Sequence, residues 1–159
     1  MQEFNSRLEN VKQLLNSQSR QNWLFGAGIS FGSKIPLMYP LTTRVEKVIG
    51  NESSEKEKEI LASLKADLNN DCHVEHYLSH LGDLLAIAER SKDKVAHIGG
   101  NGYTSEQLKL LYLDIIKAIG VVVRYGYVAA NPDRGIDEEI GTSESPIVEI
   151  DPHYKFVKA

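Results

Sequence analysis

A single cysteine, Cys72, stands in a chain of 159 residues. No internal disulfide can form from it, and neither can a four-cysteine zinc ribbon, so a reducing cytosol is the expected compartment. Basic runs are missing too. The formal charge is −4 and the Lys and Arg residues are dispersed, which argues against a general binder of nucleic acid or membrane surface, because both need clustered cations. No apolar run has the length to cross a bilayer. The N-terminus MQEFNSRLENVKQLL is charged throughout, where a signal peptide has a basic start and then an apolar core. Internal repeats, a heptad run and low-complexity tracts are also lacking. What is present is an average composition, 42% apolar and 25% charged, in a chain long enough for one compact domain with its own core.

Spacing predicts a mostly helical chain. Phe4, Leu8, Val11, Leu14 and Leu15 fall on one side of a helix over 3–20. NWLF at 22–25 is a short apolar burst that stops at Gly26, the size and boundary of a buried strand. LTTRVEKVI from Leu41 is helical, with Thr42 or Thr43 as cap and Gly50 as its end. Residues 53–70 form a charged surface helix with Ile60, Leu61, Leu64 and Leu68 as its apolar stripe. HVEHYLSHLGDLLAIAER, 73–90, is the clearest helix, carrying Val74, Tyr77, Leu78, Leu81, Leu84, Leu85 and Ala88. Thr104 or Ser105, with Glu106 following, starts a helix through residue 128 that is apolar on nearly all faces; its VVV run also fits a strand. Such a helix is either central and buried or shared with another subunit. Residues 131–146 read as a long exposed loop, and Asp151 with Pro152 as the start of a further helix.

The stretch NWLFGAGISFGSKIP, 22–36, is the one that suggests a ligand. Where a buried strand ends in Gly-x-Gly and turns into a helix, backbone amides approach an anion closely and the helix terminus adds positive charge. Gly26 permits the tight turn, Gly28 the approach, and Ser30 adds a hydroxyl; diphosphate is the usual guest. A plain turn that binds nothing has the same sequence requirements. The dinucleotide fingerprint of dehydrogenases is not met: Phe31 stands where the third glycine belongs, Gly32 comes one place late, and the nearest acid, Glu46, lies in a helical segment.

Gly26, Ala27, Gly28, Ile29 and Ser30, followed by Ile35 and Pro36, resemble the nucleotide-binding turn of the sirtuin-like family, whose first strand runs into Gly-Ala-Gly-[Ile/Val]-Ser and then Ile-Pro. Residues 73–90 and DPHYKFV are similar to the helical insert and to the approach to the catalytic strand in the large sirtuin-like proteins of bacterial anti-phage systems. The resemblance implies an α/β, Rossmann-like core that is incomplete here, mostly helical with one or a few parallel strands. It divides the single domain into a nucleotide-binding strand–turn–helix (1–50), a helical insert (51–130), and an acidic loop with the start of a helix (131–159). It implies NAD⁺ as the substrate bound, Ile35, Pro36 and Thr42 on the nicotinamide side, and cleavage of the nicotinamide–ribose bond, with NAD⁺ depletion as the outcome in the defence branch. A homo-oligomer and a hexameric DNA-translocating ATPase are the partners it implies. Departures accompany it. Lys34 replaces a glycine found in many relatives, zinc cysteines are absent, and the family's catalytic asparagine and later histidine have no counterpart. No catalytic residue is therefore assigned, and the chain is expected to be the N-terminal portion of a longer enzyme, inactive alone. The alternative is a non-catalytic helical module for oligomerisation or partner docking.

Other constellations have ordinary explanations. His76, His80 and Asp83 share one helix face in the manner of a two-histidine-one-carboxylate site, but that face is simply opposite the leucine stripe; no metal is expected. His153 beside Asp151 suits the surroundings of a helix cap. HIGGNGY, with Gly99, Gly100 and Gly102, reads as a flexible connection rather than a phosphate loop, and Arg44 either reaches a phosphate or pairs with Glu46 or solvent.

Overall fold

A computed structural model describes residues 28–151, apart from the side chain of Ile29. The helix expected over 3–20, the strand at 22–25, Gly26, Ala27, and everything from Pro152 onward, His153 included, lie outside the described residues.

A short helix α1 (Gly28–Phe31) leads to α2 (Met38–Glu52), α3 (Glu55–Asp67) and α4 (Val74–Arg90). A ribbon of β1 (Val95–Ile98) and β2 (Asn101–Thr104) follows, then α5 (Ser105–Tyr125), β3 (Tyr127–Val128), a 3₁₀ turn at Pro132–Arg134, and β4 (Glu139–Ile140). Both sheets among the described residues are antiparallel pairs, β1 with β2 and β3 with β4. The helical character is as expected, and no parallel sheet occurs among the described residues.

The core lies where α5 crosses α2, α3 and α4. Leu108, Leu111, Ile115, Ala118 and Val122 repeat at three- and four-residue steps, so α5 turns one buried stripe inward. Val45, Val48 and Ile49 meet it from α2, Ile60, Leu61 and Leu64 from α3, and Tyr77, Leu81 and Leu84 from α4. Each such side chain contributes about 1.5–3 kcal/mol by leaving water. The VVV run is helix throughout, and Gly126 ends it with φ 91°.

Caps explain where the elements begin. Ser54 and Glu57 exchange hydrogen bonds around the first turn of α3, and Thr104 and Gln107 do the same for α5; the partner of Thr104 is Gln107, not Glu106. Helix α2 starts earlier than the Thr42 or Thr43 cap expected from sequence, because Pro40 falls in the first turn, where no helix carbonyl awaits its missing N–H. It also continues past Gly50 to Glu52. The connection 97–102 is a hairpin. Gly99 and Gly100 both take positive φ, 55° and 87°, which closes a two-residue turn that suits the twist of paired strands. Ala96, Ile98 and Tyr103 then point into the core while His97 faces solvent.

Thr42 lies inside α2, buried. Its hydroxyl donates to the Met38 carbonyl at 2.8 Å and accepts the Val74 N–H at 3.0 Å. Val74 opens α4, and the first amides of a helix have no partner of their own. Thr42 therefore supplies one from a neighbouring helix. In Thr42→Val that amide is buried without an acceptor, and stability is expected to fall by about 1–3 kcal/mol in urea denaturation. Thr42→Ser keeps most of it, and Thr43→Ala, whose hydroxyl is exposed, stays within about 0.5 kcal/mol.

Candidate functional site

The described part of the glycine motif is a helical turn followed by a sharp reversal. Gly28 opens α1 without a left-handed φ, and among the described residues no heavy atom beyond its own helix backbone lies within 4 Å of where a Cβ would stand. Ser30 is half-buried. Its carbonyl accepts the amides of Ser33 (3.0 Å) and Ile35 (3.2 Å), and the Phe31 carbonyl accepts that of Lys34 (3.1 Å). The chain then reverses through Lys34, whose φ of 58° lies in the left-handed region. Glycine adopts that region freely and lysine does not. The departure at position 34 thus leaves a lysine in a conformation that a glycine favours.

Two backbone bonds fix the reversal. The Tyr127 amide donates to the Lys34 carbonyl at 2.9 Å and the Glu149 amide to the Ser33 carbonyl at 3.0 Å. Gly126 makes the first possible: an added Cβ would stand 3.1 Å from the Lys34 carbonyl oxygen and 2.8 Å from Ile147. Lys34 Nζ meets Glu139 at 2.9 Å and Glu149 at 3.3 Å, and the Glu139 hydrogen bond, then that of Glu149, holds its ammonium above the usual lysine range. Its charge is engaged by carboxylates and does not stand free for an anion.

Ile35 and Pro36 follow, half-buried, immediately before α2. Gly28, Ser30, Ile35 and Pro36 are therefore brought close along one stretch of chain. Thr42 is not added to them, since its hydroxyl is engaged between α2 and α4. Arg44 neither pairs with Glu46 nor stands free: its guanidinium lies 5.9 Å from the centre of the Tyr127 ring. Glu46 instead accepts from Lys65 (2.7 Å) and the Tyr77 hydroxyl (2.8 Å), and burial, then Glu46, raises the Tyr77 phenol. Burial and the bond to Glu138 push Tyr127 up to about 12. Lys47 at 2.6 Å, then Tyr127, hold the Glu138 carboxyl below the usual carboxylate range.

A group not singled out by sequence sits at the start of α2. The Tyr39 hydroxyl donates to Asp71 at 3.2 Å, the His73 ring meets Tyr39 edge-on at 5.9 Å, and the His76 ring lies 4.0 Å from His73. His76 Nδ1 accepts the His73 N–H, whereas His73 Nδ1 is buried without a partner. The sequence offers no signal for this group beyond the three-residue spacing of His73 and His76. His80 is instead bonded to Asp67 at 3.1 Å, Asp83 is exposed, and no group of three metal-ligating side chains forms among the described residues. A cleft of about 380 Å³, lined by Glu89, Ser105, Glu106, Lys109, Leu110 and Leu113, lies at the opposite end of α5 from the glycine motif.

Two outcomes follow from this geometry. Lys34→Gly relieves a left-handed lysine and loses two exposed ion pairs, small terms that oppose one another, so its urea midpoint stays close to the parent's. Lys34→Val, with neither advantage, is destabilised by about 1–3 kcal/mol. Glu138 titrates lower when folded than unfolded, so its contribution is complete above the ordinary carboxylate value and vanishes as pH falls through the depressed one. Glu138→Gln accordingly makes the acid-side decline of the urea midpoint shallower. Against known proteins, no family model, no curated protein and no solved structure matches the chain.

Proposed function

We propose that the chain is the nucleotide-binding part of a sirtuin-like NAD⁺ hydrolase that acts in anti-phage defence by NAD⁺ depletion. Gly26 to Ser30 receive the diphosphate, and Ile35 and Pro36 border the nicotinamide side. The observation that carries the reading is the open backbone at Gly28, where no atom of the described residues fills the space a Cβ would take, at the head of a turn whose sequence continues into Ile-Pro. A backbone so exposed lets amides approach an anion. The left-handed backbone at Lys34 adds support, because it keeps the reversal that a glycine allows at that position. Binding rests on amides and on the Ser30 hydroxyl, since the Lys34 ammonium is held by Glu139 and Glu149.

Cleavage is a separate matter. Departure of nicotinamide leaves an oxocarbenium-like ribose, and its capture needs side chains that position the ribose hydroxyls and activate a water. The asparagine and histidine that the resemblance calls for are not in this sequence. Purified chain is therefore expected to bind NAD⁺ and ADP-ribose in calorimetric titration but to release no nicotinamide on prolonged incubation with NAD⁺. Gly28→Ala and Ser30→Ala each weaken binding, whereas Thr42→Ser, at a position inside the helix packing, leaves it unchanged. Absence of binding, together with a defined oligomer in light scattering, favours the non-catalytic docking module instead.

A further inference from the structure

Helix α5 has two apolar faces and the described residues cover one of them. Leu110, Leu113, Ile116, Val121 and Val123 retain 40 to 49% of their surface, on the side opposite Leu111, Ile115 and Val122. A helix that is apolar all round belongs in an interior. Within this outward face Leu113, Ile116, Gly120 and Val123 follow one another at alternating three- and four-residue steps, the rhythm of a seam that receives another helix. Gly120 is exposed, with no atom of the described residues near its missing Cβ. A mid-helix glycine costs about 1 kcal/mol relative to alanine and calls for a packing reason; a helix crossing at that point supplies one.

We propose that the amphipathic segment 3–20 of the same chain docks on this face. Its sequence places Phe4, Leu8, Val11 and Leu15 at the same alternating steps. At 1.5 Å per residue that row spans about 16 Å and the row from Leu113 to Val123 about 15 Å. The tether fits as well. The described chain begins at Gly28, a few residues before Lys34, whose carbonyl is bonded to Tyr127 at the C-terminal end of α5. Residues 21–27 extend at most roughly 24 Å, which holds the C-terminal end of segment 3–20 near Val123 and sets its direction parallel to α5. A second copy of the chain is a poorer occupant: one helix face with five partly exposed side chains falls short of the ~800 Å² per partner of a standard stable interface. The docking is independent of what the glycine motif binds.

The full chain with Cys72→Ala carries the test as two cysteine pairs, Leu15→Cys with Val123→Cys and, as the reversed control, Phe4→Cys with Val123→Cys. Under dilute oxidising conditions the first pair is expected to close an intrachain disulfide and the control to remain reduced, as read by non-reducing electrophoresis and intact mass. Equal closure of both pairs, closure of neither, or a covalent dimer overturns the proposal, the last in favour of a second copy. A measurement that leaves α5 untouched accompanies it. Leu8→Asp should raise the fluorescence of an apolar-surface dye several-fold with the far-ultraviolet helical signal retained in the described helices, and unchanged dye binding sinks the idea.

Discussion

Four stretches of backbone meet where α5 ends, and they can do so only because Gly126 and Gly141 lack side chains. Gly126 leaves the helix with φ 91°, and its carbonyl accepts the Gly141 amide at 3.0 Å. A Cβ on Gly141 would collide with the Tyr125 carbonyl. The Ile147 amide donates to that same carbonyl at 2.8 Å, while Tyr127 and Glu149 reach across to Lys34 and Ser33. Irregular chain from three parts of the sequence thus satisfies its polar groups by mutual bonding, which is what buried backbone without regular pairing requires. The reversal after the glycine motif is held by this junction, and through it by the central helix.

Around the junction the side-chain electrostatics are arranged as ties between segments. Lys34 to Glu139 and Glu149, and Lys47 to Glu138, connect the first described third of the chain to the acidic stretch after α5, and Tyr127 to Glu138 ties that stretch to the strand that follows the helix. Individually, exposed pairs of this kind contribute little. Together they explain why a region so rich in turn formers and acids follows a defined path, with β4 paired to β3 and the 3₁₀ turn closed by left-handed Gly135.

Helices were legible in the sequence where an apolar stripe coincided with a cap. The serines and acids that open α3, and Thr104 ahead of Leu108 and Leu111, are local signals, and both helices form. The hairpin was not read, because Val95 to Ile98 is short and the two glycines after it suit a loose connection equally well; the paired strands become evident only once Tyr103 is seen packed beneath α3, its hydroxyl 2.8 Å from Ser63. The start of α2 lies earlier than its threonines suggest, because a proline such as Pro40 fits a first helical turn as well as it fits a loop. Of the candidate site, the strand and Gly26 lie outside the described residues, and the reversal at Lys34 was not legible, because lysine has no preference for a left-handed φ. Neither was the fate of Thr42, because its partner is the Val74 amide, 32 positions away in the chain, and a threonine near a predicted helix start looks like a cap for its own helix. The ring group of Tyr39, His73 and His76 is non-local for the same reason.

That shared hydroxyl has a mechanical corollary. Because the Thr42 oxygen that donates within α2 to Met38 also accepts from Val74, α2 and the head of α4 are tied at a single point, and sliding one along the other by one residue would strand the Val74 amide. Relative motion of the two helices is thereby limited to pivoting about Thr42. The tyrosine–histidine group sits at that same head of α4, so loosening the tie is felt first at the helix end that carries it.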